Sequence, residues 1–564
     1  MYFAKIEQKR MDIKTSYHPN IATKRPFLVW RGLGAWNFYF IAKFGLYWGG
    51  YINFHLLYNS LFAAALLVPL GPLWLHRLRA IVAIPAGVAL LYYDSWLPPI
   101  RRLVEQPEVL EFSNAYLMEL VGRFINWDWV AFAFVLLVAY LFLAQWLRVT
   151  TFTVLALVGI AFTQWGGVIL PQLQWTQVVH SAAAPTTDTQ ITNAAPVSNK
   201  TNSTSINALL NAKLEQFYQS EKQRQVNFEP LAADIPFDLL LLNICSLSWS
   251  DLESVGLNQH PLFKKMDVMF ENFNSATSYS GPAVSRLMRA NCGQSAHTDL
   301  YEPADKQCSL FSSLAALGFD TEAVLNHNGQ FQNFIEDITS EGAFAEPLVP
   351  TQLSPVLRGF DHSPIWSDYE TLNLWLDTQK DKAKTQPAAL LYNSITLHDG
   401  NREATADGGG RSAPYASRAQ RLLDELDSFM DQLERSGRKA IVVFIPEHGA
   451  ALQGDKMQIS GLREIPTTSI THVPVGVRLI GEKSTGANPT VQIQEPTSFL
   501  AVAELVSRLM EQSVFDEEHI DWQKLTTDLQ QTAVVSENEG TVVMQSEGIS
   551  YVRLDGKNWL RYQQ

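Results

Sequence analysis

The chain has 564 residues and a formal net charge of −13, too long for one ordinary domain and of the wrong sign for a nucleic-acid partner. Hydrophobic residues make up 47% but crowd into the first third, so two unlike parts are expected. Three cysteines, Cys245, Cys292 and Cys308, exclude a disulfide scaffold, and the polar N-terminus argues against a cleavable signal peptide.

In chain order, apolar runs near 35–55, 59–75, 80–98, 127–147 and 150–171 are each read as a membrane-crossing helix, since about 20 residues span the bilayer. Lys5, Lys9, Arg10, Lys14, Lys24, Arg25 and Arg31 precede the first run, Arg77 and Arg79 separate the second and third, and Arg148 separates the fourth and fifth. Basic residues favour the cytoplasmic side. Five crossings then place residues 1–34 inside and everything beyond about 175 outside. The outer segment 99–126 carries Glu105, Glu108, Glu111 and Glu119 beside Arg101 and Arg102. Lys43 lies inside the first span, where snorkelling, a role near headgroups and a helix contact are all open; Asp128, near the start of the fourth, is read as snorkelling. Residues 176–205, rich in Ala, Thr, Asn and Ser, are expected to be a flexible tether.

From residue 206 the pattern becomes strands alternating with helices, an α/β domain. PFDLLLLNICSLSW, AALLYNSITLHDGN and RKAIVVFIPEHGA hold continuous apolar runs, as strands buried on both faces do. They end near Cys245, His398, and Glu447 with His448, and ligand sites gather beyond the carboxyl ends of parallel strands. Cys, Glu and His suit zinc with one position open for a reacting group. Each residue also has an ordinary reading: Cys245 as a small core residue, Glu447-His448 as a polar turn, His398 as a satisfied loop histidine. The convergence favours a site. In SYSGPAVSRLM, Pro282 marks a helix start, and Ser280 is expected at its N-cap. A hydroxyl there is placed to attack, with zinc lowering its pKa.

The order of strand-end ligand, Ser at a helix start and late acidic-His-Gly resembles the alkaline phosphatase and sulfatase superfamily. NICSLSWSD, NFNSATSYSGPA, HNGQF, LHDGN, PEHGA and RGLGAWNFYFIAKFGLYWGGYINFH together resemble the BcsG family, the phosphoethanolamine transferases of bacterial cellulose biosynthesis, along nearly the whole chain. The resemblance implies an inner-membrane enzyme with a periplasmic catalytic domain (206–564) of alkaline phosphatase-like type with a mostly parallel central sheet. It implies Zn2+ on Cys245, Glu447 and His448, with Ser280 as nucleophile and fourth ligand, and Tyr279, His398 and Arg463 as further active-site residues. It also implies phosphatidylethanolamine as donor, cellulose as acceptor and the cellulose synthase complex as partner. The cysteine ligand departs from related lipid A phosphoethanolamine transferases, which have a carboxylate there and a Thr nucleophile; Thr277 is therefore a lesser candidate.

The expected reaction is ping-pong, through a phosphorylated Ser280 to a glucose 6-OH, with His398 moving protons. Transfer to lipid A or another periplasmic glycan, and a non-catalytic module that binds cellulose or the synthase, are the alternatives. With Cys245 as a ligand in an oxidising compartment, as the resemblance implies, Cys292 and Cys308 are expected to pair; two free buried thiols are the alternative.

Overall fold

A computed structural model describes residues 32–97, 114–165 and 199–562, apart from position 71, the stretches 124–126, 230–236, 382–386, 406–409 and 482–488, and positions 343, 513, 516, 518 and 519. Most of the basic N-terminal segment, the far end of the fifth expected span, the acidic part of segment 99–126 and the tether up to 198 lie outside the described residues. The chain divides into two units.

The first unit, Met1–Trp96 with Phe132–Gly166, holds α1 (Trp36–Trp48), α2 (Leu56–Leu67), α3 (Leu73–Asp94), most of α5 (Trp127–Leu143), and α6 (Val149–Trp165). The helices end where the backbone demands it. Gly49 and Gly50 close α1, and Pro69 and Pro72 separate α2 from α3, because Pro offers no N–H and restricts the residue before it. The first two helices are thus shorter than the spans expected from composition. Among the described helices, Trp74–Asp94 is long and apolar enough to cross a membrane, whereas Leu56–Leu67, Val130–Leu143 and Val149–Thr163 are apolar but shorter. Phe40, Phe44, Phe54 and Leu66 are buried between the helices, while Ile81, Val82, Ile84 and Val88 of α3 are exposed. Lys43 neither snorkels nor reaches outward. It is buried, and its Nζ lies 2.5 Å from Asp94 Oδ2. Asp94 also accepts from Asn59 Nδ2 and contacts His55 Nδ1, each at 2.7 Å. Two charges removed from water need such a saturated shell to persist. Asp128 stands exposed in the first turn of α5.

The second unit, Leu97–Ala131 with Gly167–Gln564, is built on a seven-stranded sheet: β1 (Asp238–Ile244), β2 (Val268–Asn274), β3 (Asp320–Leu325), β4 (Ala388–Ser394), β5 (Ala440–Pro446), β6 (His472–Ile480) and β7 (Val491–Ile493). Their order is β7-β2-β6-β5-β1-β4-β3. Among the described strands of this sheet, β6 alone runs antiparallel to its neighbours, β2 and β5. Its register shifts between Val473 and Val475, where Pro474 cannot donate to the ladder. Alternate β1 leucines serve opposite cores: Leu239 and Leu241 join one cluster, Leu240 and Leu242 the other. That two-sided burial explains the unbroken apolar run, each leucine contributing roughly 2 kcal/mol. The faces are covered by helices, including the amphipathic Tyr415–Arg435, which buries Leu422, Leu426, Phe429 and Leu433, and Phe499–Glu511.

Two segments lie differently from the sequence boundaries. Helix α4 (Asn114–Arg123), in a loop between expected spans, belongs to this second unit. Tyr116 Oη donates to Asp399 Oδ2 at 2.8 Å, and Arg402 pairs with Glu119 at 3.1 Å. The missing side chain of Gly400 allows the approach, since a Cβ there would meet the Tyr116 ring at 2.7 Å. Helix α7 (Asn199–Glu221) begins within the expected tether, and its Leu210, Leu214 and Phe217 pack on Val535, Val542, Met544 and Trp559 of a C-terminal four-stranded sheet. Cys292 and Cys308 form a disulfide.

Candidate active site

Register assembles the site. Parallel β5, β1 and β4 pair so that Asn243 faces Ile445 on one side and Asn393 on the other. Their carboxyl ends therefore finish in one row, with Cys245 beyond β1 and Glu447-His448 beyond β5. Glu447 N–H donates to Ile244 O at 2.8 Å, which locks this alignment. One ligand-type atom from each of Cys245, Glu447 and His448 falls within 4.8 Å of the others, and all three residues are buried.

The donor set fits a divalent metal ion. His448 Nδ1 lies 2.9 Å from the Gly449 carbonyl, which only accepts, so Nδ1 carries the proton. The lone pair of Nε2 then faces Cys245 Sγ at 4.0 Å and Glu447 Oε2 at 3.9 Å. Glu447 Oε1 accepts from Asn393 Nδ2 at 2.6 Å, whereas Oε2 is buried with no protein hydrogen-bond partner. Burial, then the Glu447 carboxylate, pushes the Cys245 thiol up to about 12. Burial also raises Glu447, and burial followed by Arg463 lowers His448 well below the usual imidazole range. A dication would stabilise the thiolate and carboxylate forms and needs the neutral imidazole.

Ser280 is the first residue of α9 (Ser280–Met288); Tyr279, not Ser280, occupies the N-cap position, and no side chain caps the helix. The hydroxyl is turned instead toward the ligand cluster, 3.4 Å from Cys245 Sγ and 3.4 Å from His448 Nε2. Thr277 is fully buried, and its Oγ1 donates to Asn538 Oδ1 at 3.1 Å. Tyr279 Oη donates to Glu464 Oε1 at 3.0 Å. Arg463 Nη1 lies 3.3 Å from both Ser246 Oγ and His448 Nδ1; because Nδ1 is protonated, only the serine oxygen accepts. His398 Nδ1 donates to the Asp399 carbonyl at 2.8 Å, leaving Nε2 as a base. Burial, then Arg463, holds His398 down at about 4, so it is neutral near pH 7. Tyr279, Ser280, His398, His448 and Arg463 all line one cleft of about 1120 Å3, which Tyr116, Tyr301, Phe331 and Phe360 also border.

Three supporting groups escaped sequence reasoning. Asn393 bonds Glu447, donates to Asn243 Oδ1 at 2.9 Å, and accepts from His327 Nε2 at 2.9 Å. Asp251 completes a capping box with Ser248 on α8 (Trp249–Ser254), and its carboxylate also takes the backbone N–H groups of Ala450 and Leu452. It thereby pins the loop after His448. Glu464 is held through Tyr279. Asn393 sits inside an apolar strand and Asp251 in a helix-start motif, so each has a sufficient local explanation; the HNGQF motif around His327 was the available signal.

The comparisons with known proteins cover both units. A family model described as "Cellulose biosynthesis protein BcsG C-terminal domain" matches residues 193–559, and one described as "Cellulose biosynthesis protein BcsG N-terminal domain" matches residues 36–162. The chain is 48% identical over 560 residues to "Cellulose biosynthesis protein BcsG" of Escherichia coli (strain K12), covering 95% of this chain and 97% of that protein. It is 46% identical over 554 residues to the protein of the same name from Salmonella typhimurium, with the same coverage. Among solved structures, the integral membrane lipooligosaccharide phosphoethanolamine transferase A (EptA) of Neisseria meningitidis aligns at a TM-score of 0.37 and 13% identity, over 72% of this chain and 78% of its own. Near-half identity over almost the full length of two relatives, with both parts of the chain matched, means that the chain belongs to the BcsG family of cellulose biosynthesis proteins.

Proposed function

We propose that this chain is a zinc-dependent transferase of alkaline phosphatase-like fold that moves phosphoethanolamine from phosphatidylethanolamine to glucose hydroxyls, the 6-OH first among them, of nascent cellulose. The observation that carries the proposal is the placement of Ser280 Oγ, 3.4 Å from two atoms of a buried Cys-Glu-His cluster, at a helix N-terminus and in the wall of the cleft. Cys245, Glu447 and His448 would hold the zinc, whose positive charge would stabilise the serine alkoxide and the phosphoryl oxygens.

In the first half-reaction Ser280 Oγ forms a bond to phosphorus, and the bond to the diacylglycerol oxygen breaks. His398 Nε2 relays the serine proton to that leaving oxygen. In the second, a glucose hydroxyl oxygen forms a bond to that phosphorus and the bond from phosphorus to Ser280 Oγ breaks, the hydroxyl proton passing through His398 to the serine oxygen. Arg463 and the N–H groups at the start of α9 hold phosphoryl oxygens. The aromatic border of the cleft suits a glycan chain. This reading places the first unit in the inner membrane with its N-terminus in the cytoplasm, the second unit in the periplasm, and the cellulose synthase complex as partner.

The test is mass spectrometry of the intact protein and solid-state NMR of cellulose from cells carrying wild type, Ser280→Ala or Thr277→Ala. Ser280→Ala should fold, keep its zinc and yield unmodified cellulose, with no phosphoethanolamine on the protein, while Thr277→Ala retains transfer. Modified cellulose from folded Ser280→Ala would rule out Ser280 as the nucleophile, and modified cellulose from both variants would rule out a covalent intermediate on either residue.

A further inference from the structure

Arg463 and Glu464 are adjacent in the chain, opposite in charge, and line the same cleft. Their side chains reach different partners. Arg463 reaches the metal-ligand corner, 3.3 Å from Ser246 Oγ. Glu464 meets the hydroxyl of Tyr279, the residue before the nucleophile, at 3.0 Å. The two are held as one piece. Asn538 Nδ2 lies within hydrogen-bond reach of the carbonyls of both Arg463 and Glu464, each at 3.0 Å, and of Ser278 Oγ at 2.6 Å, its two hydrogens shared among them. The guanidinium of Arg463 sits over the Tyr279 ring, 6.0 Å from its centre. The cleft thus presents a cation over the ring and an anion at the hydroxyl of one tyrosine, the residue before the attacking serine. A zwitterion with phosphate and ammonium joined by two carbons has the matching polarity.

The other acidic groups of the cleft are less suited. Glu341 is occupied by Arg289 and Ser285, Asp361 Oδ1 by Ser363, and Glu302, Asp337 and Glu539 are exposed to solvent. A half-buried carboxylate with a fixed orientation binds an ammonium group far better than a solvated one.

We infer that Glu464, oriented by Tyr279, recognises the ammonium group of the donor headgroup and so selects ethanolamine phosphodiesters over uncharged ones; this rests on the donor reading above. Glu464 is then a specificity residue, with no part in bond making.

The test uses the full-length, zinc-loaded protein in vesicles, with diacylglycerol release measured from phosphatidylethanolamine and from phosphatidylglycerol, and nitrophenol release from bis(4-nitrophenyl) phosphate. Glu464→Gln should lower kcat/KM for phosphatidylethanolamine by about tenfold or more, the scale of losing one charge partner. It should change the two donors lacking ammonium by less than about threefold, within ordinary surface-mutation effects. Glu464→Asp should restore part of the preference, and Tyr279→Phe should weaken it in the same direction. An equal loss on all three donors would make Glu464 a structural support of Tyr279 and overturn the inference, as would no loss on any. If the wild type releases no diacylglycerol from phosphatidylethanolamine while still cleaving the nitrophenyl diester, the donor reading itself fails, and this inference with it.

Discussion

Replacing Asn393 by Ala tests whether the site depends on its buried polar support. The amide is 1% exposed and serves three partners: Glu447 Oε1 at 2.6 Å, Asn243 Oδ1 at 2.9 Å and His327 Nε2 at 2.9 Å. Truncation leaves three buried polar groups without that partner. Each unmade bond costs about 1–3 kcal/mol, most where the partner is charged, and water entering the space recovers part. A net loss of about 4 kcal/mol is expected, a large share of a typical domain stability of about 5–15 kcal/mol. Glu447 also loses its orientation, so zinc affinity should fall about 10–100-fold, as for other second-layer partners of metal ligands. The assay is competition with a chromophoric chelator, beside urea unfolding of the zinc-free and zinc-loaded forms. Asn243→Ala is the control, since it breaks a bond to Asn393 without touching Glu447. If Asn393→Ala loses stability but binds zinc within about twofold of Asn243→Ala, a difference under about 0.5 kcal/mol, the amide is only a core group and the argument for oriented ligands is wrong.

A Cβ on Gly449 would stand 2.6 Å from Ser248 Oγ and 2.7 Å from Asp251 Oδ2, so Gly449→Ala should cost about 1–3 kcal/mol and lower zinc affinity by shifting His448; a melting temperature and metal content equal to wild type would contradict this. Cys308→Ser should destabilise by about 3 kcal/mol, because the disulfide closes a short loop, and non-reducing peptide mapping should find Cys292 and Cys308 linked in the wild type. Burial holds His327 down at about 4, against about 6.5 when unfolded, so between these values the unfolded chain binds the proton and the folded chain does not. Its stabilising contribution is complete above about pH 6.5 and is lost on acidification toward pH 4, a swing of roughly 3 kcal/mol. Buried Asp368, raised to about 7 by burial, titrates in the opposite sense, so the measurement is the difference in acid sensitivity between wild type and His327→Gln; identical pH profiles would refute it.

Much of the second unit was legible in the sequence because its signals are local. An unbroken run such as Leu239–Leu242 records burial on both faces, whatever strand lies beside it. Cys245, His398 and Glu447-His448 stood out because parallel strands deliver their carboxyl ends to one edge. Tertiary structure alone decided what lay between these elements. Strand register placed Asn393 against Glu447, 54 residues away, and against Asn243, 150 residues away, and no local pattern separates a polar residue that orients a ligand from one merely tolerated in a strand. Ser280 moved from the expected cap to the first helical position, because the cap is set by backbone angles at Tyr279, and its hydroxyl turned to the Cys-Glu-His cluster instead of its own helix. Lys43 showed the same limit in the first unit. Hydropathy located a charge in an apolar helix, but its partner, Asp94, comes from the end of another helix, and only packing brings the two within 2.5 Å. Composition sets which surfaces must be buried; which polar groups meet inside them follows from register and packing, long-range properties that the order of residues encodes only jointly.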